Sequence, residues 1–121
     1  MSPGRHAYLD MKYDSTTILG LHWAGYLTPR TTYDWDPAKE IPGIAEGSVL
    51  GVESPLWSET LVRVQDFEFL AFPRIISIAE VGWTPQNIRN WDNFEARLTL
   101  NQARLTGCQL PVWWYCWLRA G

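Results

Sequence analysis

The stretch Ser48-Val49-Leu50-Gly51-Val52-Glu53-Ser54-Pro55-Leu56-Trp57-Ser58-Glu59 joins a short apolar run to two residue types that are typical of sugar binding. The run at 49–52 predicts a strand that is buried on both faces. Trp57 and Glu59 then stand two residues apart at the exit of that strand. An indole face stacks on the apolar side of a pyranose ring, and a carboxylate accepts hydrogen bonds from its hydroxyls. With Tyr8-Leu9-Asp10 near the start of the chain, this pair indicates a sugar site.

The composition is that of one modest globular domain. The chain has 121 residues, of which 46% are hydrophobic and 19% are charged, so it has enough apolar material to fold. Its net charge of −3, without a basic run, argues against a nucleic-acid partner. No apolar stretch approaches the ~20 residues that cross a bilayer. The stretch at 1–6 also lacks the apolar core of a signal peptide.

The residues that most often bind metals are few. Cys108 and Cys116 are the only cysteines, and with His6 and His22 as the only histidines they do not define a zinc site. We therefore predict no metal and no other cofactor. A disulfide between the cysteines is allowed but not indicated, which leaves the compartment open. The eight Trp are unusual, and because packing is their commoner role, position must decide which of them bind ligand.

The order of elements favours an α/β fold. Residues 6–10 predict a strand with Tyr8 and Asp10 on one face, and 11–47 form a long loop rich in turn signals. After the second strand at 49–52, residues 61–81 predict a buried helix that Pro73 kinks or restarts. Its apolar positions at helical spacing are Phe67, Leu70, Ala71, Ile75, Ile78 and Ala79. Thr84-Pro85 predicts the start of a short helical turn.

A second long helix is predicted at 90–105, with Phe94, Leu98, Asn101 and Leu105 on one stripe and Gly107 as its stop. A Trp-rich tail follows at 108–121. Strand, loop, strand and helix in this order suggest parallel strands joined by crossovers. Polar site residues at the carboxyl ends of such strands are typical of a (β/α)₈ barrel.

Several blocks in a fixed order make the interpretation specific. The blocks are His6-Ala7-Tyr8-Leu9-Asp10-Met11-Lys12-Tyr13, Trp23-Ala24-Gly25, Gly51-Val52-Glu53-Ser54-Pro55-Leu56-Trp57-Ser58-Glu59, Phe72-Pro73-Arg74 and Ala79-Glu80-Val81-Gly82-Trp83. Together they resemble the C-terminal part of family 20 glycoside hydrolases, the β-N-acetylhexosaminidases. The resemblance covers about residues 2–105.

The resemblance implies a piece of a TIM barrel. Tyr8 would lie on the seventh strand and 49–52 would form the eighth, so that 1–107 supply about the last two β/α units and 108–121 a divergent tail. Family members hydrolyse terminal β-linked N-acetylglucosamine or N-acetylgalactosamine with retention, using the substrate's own acetamido oxygen as nucleophile. The family's catalytic Asp-Glu pair has no counterpart here. Asp66-Phe67-Glu68 is the nearest acidic pair, and it belongs to the helix after the last strand.

The resemblance also assigns roles to five residues. Tyr8 would hydrogen-bond the acetamido oxygen and hold it in line. Trp57 would wall the acetamido pocket. Asp10, Trp23 and Glu59 would bind the outer hydroxyls of the sugar.

Other polar residues are predicted to be structural. Arg74 and Glu80 would form an ion pair on the buried helix, and Glu53 would be tied to the barrel interior. Tyr33, Asp34 and Asp36 would be loop and turn residues, with a smaller chance of lining the pocket.

The chain is thus expected to be inactive alone and to need the N-terminal barrel strands that it lacks, with Met1 an internal methionine of a longer protein or a truncated gene model. An N-acetylhexosamine glycan is the predicted ligand; nucleic acid and membrane are not predicted partners. Three alternatives stay open. One is a non-catalytic carbohydrate-binding fragment, another is a two-carboxylate glycosidase using Asp10 and Glu59, and the last is a fragment that complements a second chain. The resemblance implies a secreted, periplasmic or lysosomal parent, but the chain itself fixes neither compartment nor gluco or galacto preference.

Overall fold

The computed structural model describes residues 1–45 and 47–107, with 106 and 107 described as backbone alone. The predicted Trp-rich tail and both cysteines lie outside the described residues. Five α-helices are present in the described part: α1 Gly4–Ala7, α2 Pro29–Tyr33, α3 Val64–Ala71, α4 Arg74–Trp83 and α5 Trp91–Gly107. Short 3₁₀ helices follow at Pro37–Lys39 and Gln86–Ile88. None of the described helices is long and apolar enough to cross a membrane.

Both predicted strands are wrong as secondary structure. Part of 6–10 belongs to α1, and the chain becomes extended only at Tyr8, with φ −80° and ψ 106°. Residues 49–52 form no strand, and Leu50 is completely exposed rather than buried. Among the described residues, the only β-pairing is an isolated parallel bridge between Met11 and Leu21. A strand is defined by a ladder of bonds to neighbours, and these stretches make only single bonds to theirs.

The predicted helix at 61–81 divides into α3 and α4 at a cis Phe72–Pro73 peptide bond, which confirms that Pro73 restarts the helix. The break shifts the helical phase, so a periodicity read across it places some residues on the wrong face. Phe67 and Ile75 are 46% and 37% exposed, and Ala79 is exposed as well. The buried residues of the two helices are Asp66, Leu70, Ala71, Arg74, Ser77, Ile78 and Val81.

The helix predicted at 90–105 is α5. Asn90 caps it, because its side-chain oxygen accepts a hydrogen bond from the Asn93 backbone N–H at 2.9 Å. Phe94 and Leu98 are buried, Leu105 is partly buried and Asn101 is exposed. Earlier in the chain, Thr84-Pro85 precedes the 3₁₀ helix Gln86–Ile88, but Pro85 is its N-cap and no side chain caps it.

Two apolar clusters hold the helices together. One joins Ala7 of α1, Trp35, and Ile78 and Val81 of α4. The other joins Tyr33 at the end of α2 to Phe94 and Leu98 of α5. Because α4 packs closely on α2, the predicted loop at 11–47 is folded against the helices along much of its length.

Candidate functional site

Three predicted aromatic residues converge on one side of the molecule. The rings of Tyr8 and Trp23 meet edge to face, with centroids 5.8 Å apart and planes at 84°. The rings of Tyr8 and Trp57 lie 6.4 Å apart at 53°. Trp23 and Trp57 are 66% and 55% exposed, so their faces are open to a ligand. Exposed aromatic faces around a phenol are suited to bind the apolar side of a sugar.

Asp10 follows Tyr8 by two residues, interacts with the Trp57 backbone N–H and is only 2% exposed. Within the described residues, its buried Oδ1 has no hydrogen-bond partner. Burial raises the pKa of Asp10, and the charge of Glu59 raises it further, while the backbone N–H groups of Asp10 and Trp57 and the charge of Arg74 act to lower it. A buried acceptor without a partner is costly to keep unless a ligand satisfies it.

Glu59 is exposed at the rim, close enough to Asp10 for its charge to affect that carboxyl. The structure therefore brings together all five residues that the resemblance assigned. One of the two carboxylates, Asp10, is buried and the other, Glu59, is exposed. Such an arrangement offers acceptors for sugar hydroxyls at two depths.

Two hydrogen bonds align the stretches that carry Tyr8 and Trp57. The Leu9 backbone N–H donates to the Pro55 carbonyl at 2.9 Å. The Ser54 hydroxyl donates to the Ala7 carbonyl at 2.7 Å. These bonds hold the two stretches side by side although they are far apart in sequence.

The loop that carries Trp23 is tied to the same stretch. The Leu21 N–H donates to the Asp10 carbonyl at 2.8 Å, and the Lys12 N–H donates to the Leu21 carbonyl at 2.7 Å. Gly20 permits this contact, because its φ is 93° and a Cβ there would lie 2.6 Å from the Asp10 carbonyl oxygen. Trp23 itself packs over Gly4, where a Cβ would come within 2.8 Å of the indole. These two glycines are positioning features that the motif comparison missed.

Arg74 contacts the residues on either side of Asp10, and the sequence predicts the wrong partner for it. The predicted ion pair with Glu80 is wrong, because residues six apart on a helix do not share a face. Glu80 pairs with Arg97 of α5 instead. Arg74 is fully buried and donates to backbone carbonyls, including those of Leu9 and Met11. The signal for this role is a single Arg among the apolar residues of α4.

The remaining structural predictions have mixed outcomes. Glu53 is exposed rather than interior, and it accepts a hydrogen bond from the Ser2 hydroxyl at 3.3 Å. Tyr33 is a helix residue buried in the core rather than a loop residue. Asp34 pairs with Arg30, and Asp36 caps the 3₁₀ helix by accepting from the Ala38 N–H at 3.1 Å.

The Asp66 side chain is fully engaged in hydrogen bonds at the start of α3. Its carboxylate accepts from the backbone N–H groups of Val62 and Arg63 and from the Arg63 side chain, which holds its pKa below the usual range. Among the described residues, no group of three His, Cys, Asp or Glu side chains is placed to hold a metal ion.

Comparison with known proteins gives one family. Residues 1–86 match the catalytic domain of glycosyl hydrolase family 20. A beta-N-acetylhexosaminidase of Cellulomonas fimi is 50% identical over 98 residues, which are 81% of this chain and 20% of that protein. A beta-hexosaminidase of Porphyromonas gingivalis is 32% identical over 100 residues, 81% of this chain and 13% of its own length.

Solved structures agree. The GH20 beta-N-acetylhexosaminidase of Streptomyces coelicolor superposes with a TM-score of 0.86 at 44% identity, covering 91% of this chain and 22% of that one. A Streptomyces plicatus beta-hexosaminidase mutant in complex with the product GlcNAc gives 0.86 at 43% identity, with 91% and 22% covered. The chain thus spans between 13% and 22% of the length of these relatives, and their catalytic domains imply a TIM-barrel family. The chain belongs to glycosyl hydrolase family 20.

Proposed function

We propose that this chain forms one wall of the substrate pocket of a β-N-acetylhexosaminidase, the wall that holds the acetamido group and the outer hydroxyls of the terminal sugar. The observation that carries the proposal is the convergence of Tyr8, Trp23 and Trp57 together with the buried Asp10, whose carboxyl interacts with the Trp57 backbone N–H. The names of the relatives and the GlcNAc bound to the S. plicatus enzyme support this substrate class.

Each residue has a role that its chemistry suits. The Tyr8 hydroxyl donates to the acetamido oxygen and holds it in line with the anomeric carbon. Trp57 excludes water from around that oxygen. Asp10 and Glu59 accept hydrogen bonds from the outer hydroxyls, and the unpartnered Oδ1 of Asp10 supplies a free acceptor.

The reaction that we propose is retaining and substrate-assisted. The acetamido oxygen attacks the anomeric carbon while an acid protonates the departing glycosidic oxygen, and water then opens the oxazolinium intermediate. Because Asp66 is bound in the cap of α3, we assign the acid to a part of the barrel that this chain does not supply. The chain alone would then be inactive.

We further propose that the chain supplies about the last two β/α units of the barrel. Support comes from the share of the relatives' length that it covers, 20% for the C. fimi protein and 22% for the S. coelicolor enzyme, and from the segment at 49–53. That segment is hydrogen-bonded to Met1 through the Glu53 N–H and the Gly51 carbonyl, at 3.0 and 2.9 Å. Residues 49–52 also line an open groove of about 410 Å³ beside the end of α4. A neighbouring strand paired with this segment would extend its two bonds into a ladder.

A hybrid enzyme tests the proposal. The full chain replaces the matching fifth of the C. fimi relative, and hydrolysis of p-nitrophenyl N-acetyl-β-glucosaminide is measured. We expect activity in the hybrid and a loss of about 10²-fold in kcat/KM for Tyr8→Phe, the size typical of a lost transition-state donor. Thr99→Ala, on the exposed face of α5, is the matched control. A folded hybrid that hydrolyses neither the gluco nor the galacto substrate refutes the proposal.

A two-carboxylate mechanism has one observation in its favour, the raised pKa of the buried Asp10 next to Glu59. Inhibition of the hybrid by a thiazoline that mimics the oxazolinium ion separates the two mechanisms. Strong inhibition requires acetamido participation, whereas a two-carboxylate enzyme has no reason to bind the bicyclic mimic tightly.

A further inference from the structure

Arg74 occupies an unusual position for a charged side chain. It is 0% exposed, at the first turn of α4. Among the described residues, no carboxylate lies within ion-pair distance of it. Its guanidinium donates instead to backbone carbonyls, which are those of Leu9, Met11, Leu27 and Leu70. A planar fork with five N–H groups is the side chain best suited to hold several carbonyls at fixed positions.

Two of these carbonyls flank Asp10. One end of the fork donates to the Leu9 carbonyl and the other to the Met11 carbonyl, the latter at 2.6 Å. A third bond, at 3.2 Å, reaches Leu27, where the loop carrying Trp23 returns to the stretch around Asp10. The carbonyls of the residues directly before and after Asp10 are therefore held by one side chain.

The guanidinium of Arg74 packs on the face of the Tyr13 ring. The Arg74 Cζ lies 3.9 Å from the centroid of the Tyr13 ring, which is within the range of a cation–π contact. The Tyr13 hydroxyl donates to the carbonyls of Phe69 and Phe72, at 3.0 and 2.6 Å. The ring is thus anchored at the break between α3 and α4, and it keeps the fork in one orientation.

We propose that Arg74 is a positioning residue for sugar binding, which holds the Leu9 and Met11 carbonyls and thereby sets where the Asp10 carboxylate stands beside Trp57. The inference rests on the proposed function, because it takes Asp10 as a sugar ligand. The buried cation also counters the desolvation that raises the pKa of Asp10, which favours the ionised acceptor. The negative charge of Glu59 acts against Arg74, because it raises the pKa of Asp10.

Arg89 provides a matched control within the same chain. It too donates to two backbone carbonyls, those of Tyr33 and Trp35, at 2.7 and 2.9 Å. Its guanidinium also lies over an aromatic ring, 5.8 Å from the centroid of Tyr33. Since its partners belong to α2 and the turn after it, Arg89 has the same chemistry without a link to Asp10.

The test is a double-mutant cycle on kcat/KM in the hybrid enzyme, with the unfolding midpoint of each variant as a second readout. Arg74→Lys keeps the charge but loses the fork, and we expect kcat/KM to fall about tenfold, the equivalent of one lost charged hydrogen bond. In the Asp10→Asn background the same change has almost no further effect, because the ligand that it positions is already impaired. Arg89→Lys lowers the unfolding midpoint, leaves kcat/KM within about twofold, and adds independently to Asp10→Asn.

Additive effects of Arg74→Lys and Asp10→Asn, or a lower midpoint with unchanged kcat/KM, overturn the inference and leave Arg74 as a structural residue. If Arg74→Lys does not fold, Tyr13→Phe replaces it in the cycle, because it loosens the ring under the guanidinium without removing it. A loss of kcat/KM that disappears in the Asp10→Asn background supports the inference, and an additive loss refutes it. An inactive parent hybrid refutes the proposed function and this inference with it, whereas an active hybrid with additive variants refutes this inference alone.

Discussion

Two stretches that the sequence predicts to be strands differ in burial and in hydrogen bonding. The stretch from Tyr8 to Met11 is held from three directions, by Pro55, by Leu21 and by Arg74, and its residues 9–11 are buried. The stretch at 49–52 is held on one side by Met1, and its Leu50 is 100% exposed. Both have the apolar content of a strand. The difference is that, among the described residues, the first stretch is hydrogen-bonded to three separate parts of the chain and the second to one.

The second stretch is nevertheless not free. Val52 packs against the cluster of Trp35, Ile78 and Val81. A Cβ on Gly82 would come within 3.2 Å of Val52. Trp83, which follows in α4, is 88% exposed beside the same groove. One face of the stretch is therefore packed, and the other presents open backbone and apolar side chains, which is the condition in which edges associate.

The largest expected effect is on the first stretch. Arg74→Met should lower the free energy of unfolding of the hybrid enzyme by ~3 kcal/mol or more, because it leaves buried carbonyls without donors. Urea unfolding measures this change. Arg89→Met should cost clearly less, since Arg89 is half-buried and serves two carbonyls. Equal losses in the two variants would mean that the stretch around Asp10 does not depend on the buried fork.

The exposure of the second stretch leads us to predict self-association of the isolated chain. We expect the isolated chain to self-associate through Leu50, Trp83 and the open edge, as measured by light scattering. Leu50→Lys should reduce this association but destabilise the hybrid by ~2 kcal/mol, because there the leucine would be covered. Ile18→Lys, a change at an equally exposed residue on the long loop, is the control for added charge. A monodisperse, cooperatively melting wild-type monomer would contradict the expectation.

Asp10 and Asp66 are expected to respond oppositely to loss of charge. Burial raises the pKa of Asp10, so the unfolded chain loses this proton first as the pH rises, and the stability that the protonated carboxyl allows is lost progressively between the unfolded and the folded pKa. Asp10→Asn should therefore raise the unfolding midpoint of the hybrid at pH 7, with the gain disappearing as the pH falls towards the unfolded-state value of about 4. The same variant should lose kcat/KM, as expected where a site keeps a strained ligand.

The Arg63 side chain and backbone hold the pKa of Asp66 low, so this carboxylate contributes stability above its unfolded pKa that is lost as the pH falls through the folded pKa. Asp66→Asn should accordingly lower the midpoint at pH 7. Thermal melts of both variants between pH 3 and pH 7 give the two signs. A fall for Asp10→Asn at pH 7 would show that its burial is already compensated.

The sequence predicts the residues of the candidate site better than it predicts the secondary structure that positions them. The resemblance predicts that Trp57 and Tyr8 share a pocket, and their rings do lie together. Apolar runs predict the strands, but a strand also needs neighbours, and a run does not contain them. Arg74 shows the same limit, since most of its partners lie 47 to 65 residues away. Helical spacing relates residues three or four apart and therefore does not predict such contacts.

The smallest expected effect concerns Ser54, the residue that joins the two stretches. Its hydroxyl donates to the Ala7 carbonyl at 2.7 Å, between the open segment and the start of the Tyr8 stretch. Ser54→Ala should cost about 1 kcal/mol in the hybrid, the usual value of one neutral hydrogen bond. Because the bond also aligns Trp57 with Tyr8, kcat/KM should fall by a few-fold.

Thr99→Ala is the matched control for that change. The Thr99 hydroxyl donates to the Glu95 carbonyl at 2.9 Å on the exposed side of α5, remote in sequence from both stretches. Its loss should leave kcat/KM unchanged and the unfolding midpoint nearly so. If Ser54→Ala behaves like Thr99→Ala in both measurements, the Leu9–Pro55 backbone bond alone aligns the stretches. The position of the sugar wall would then be independent of the open segment at 49–52, and the two regions would be separate in function as well as in burial.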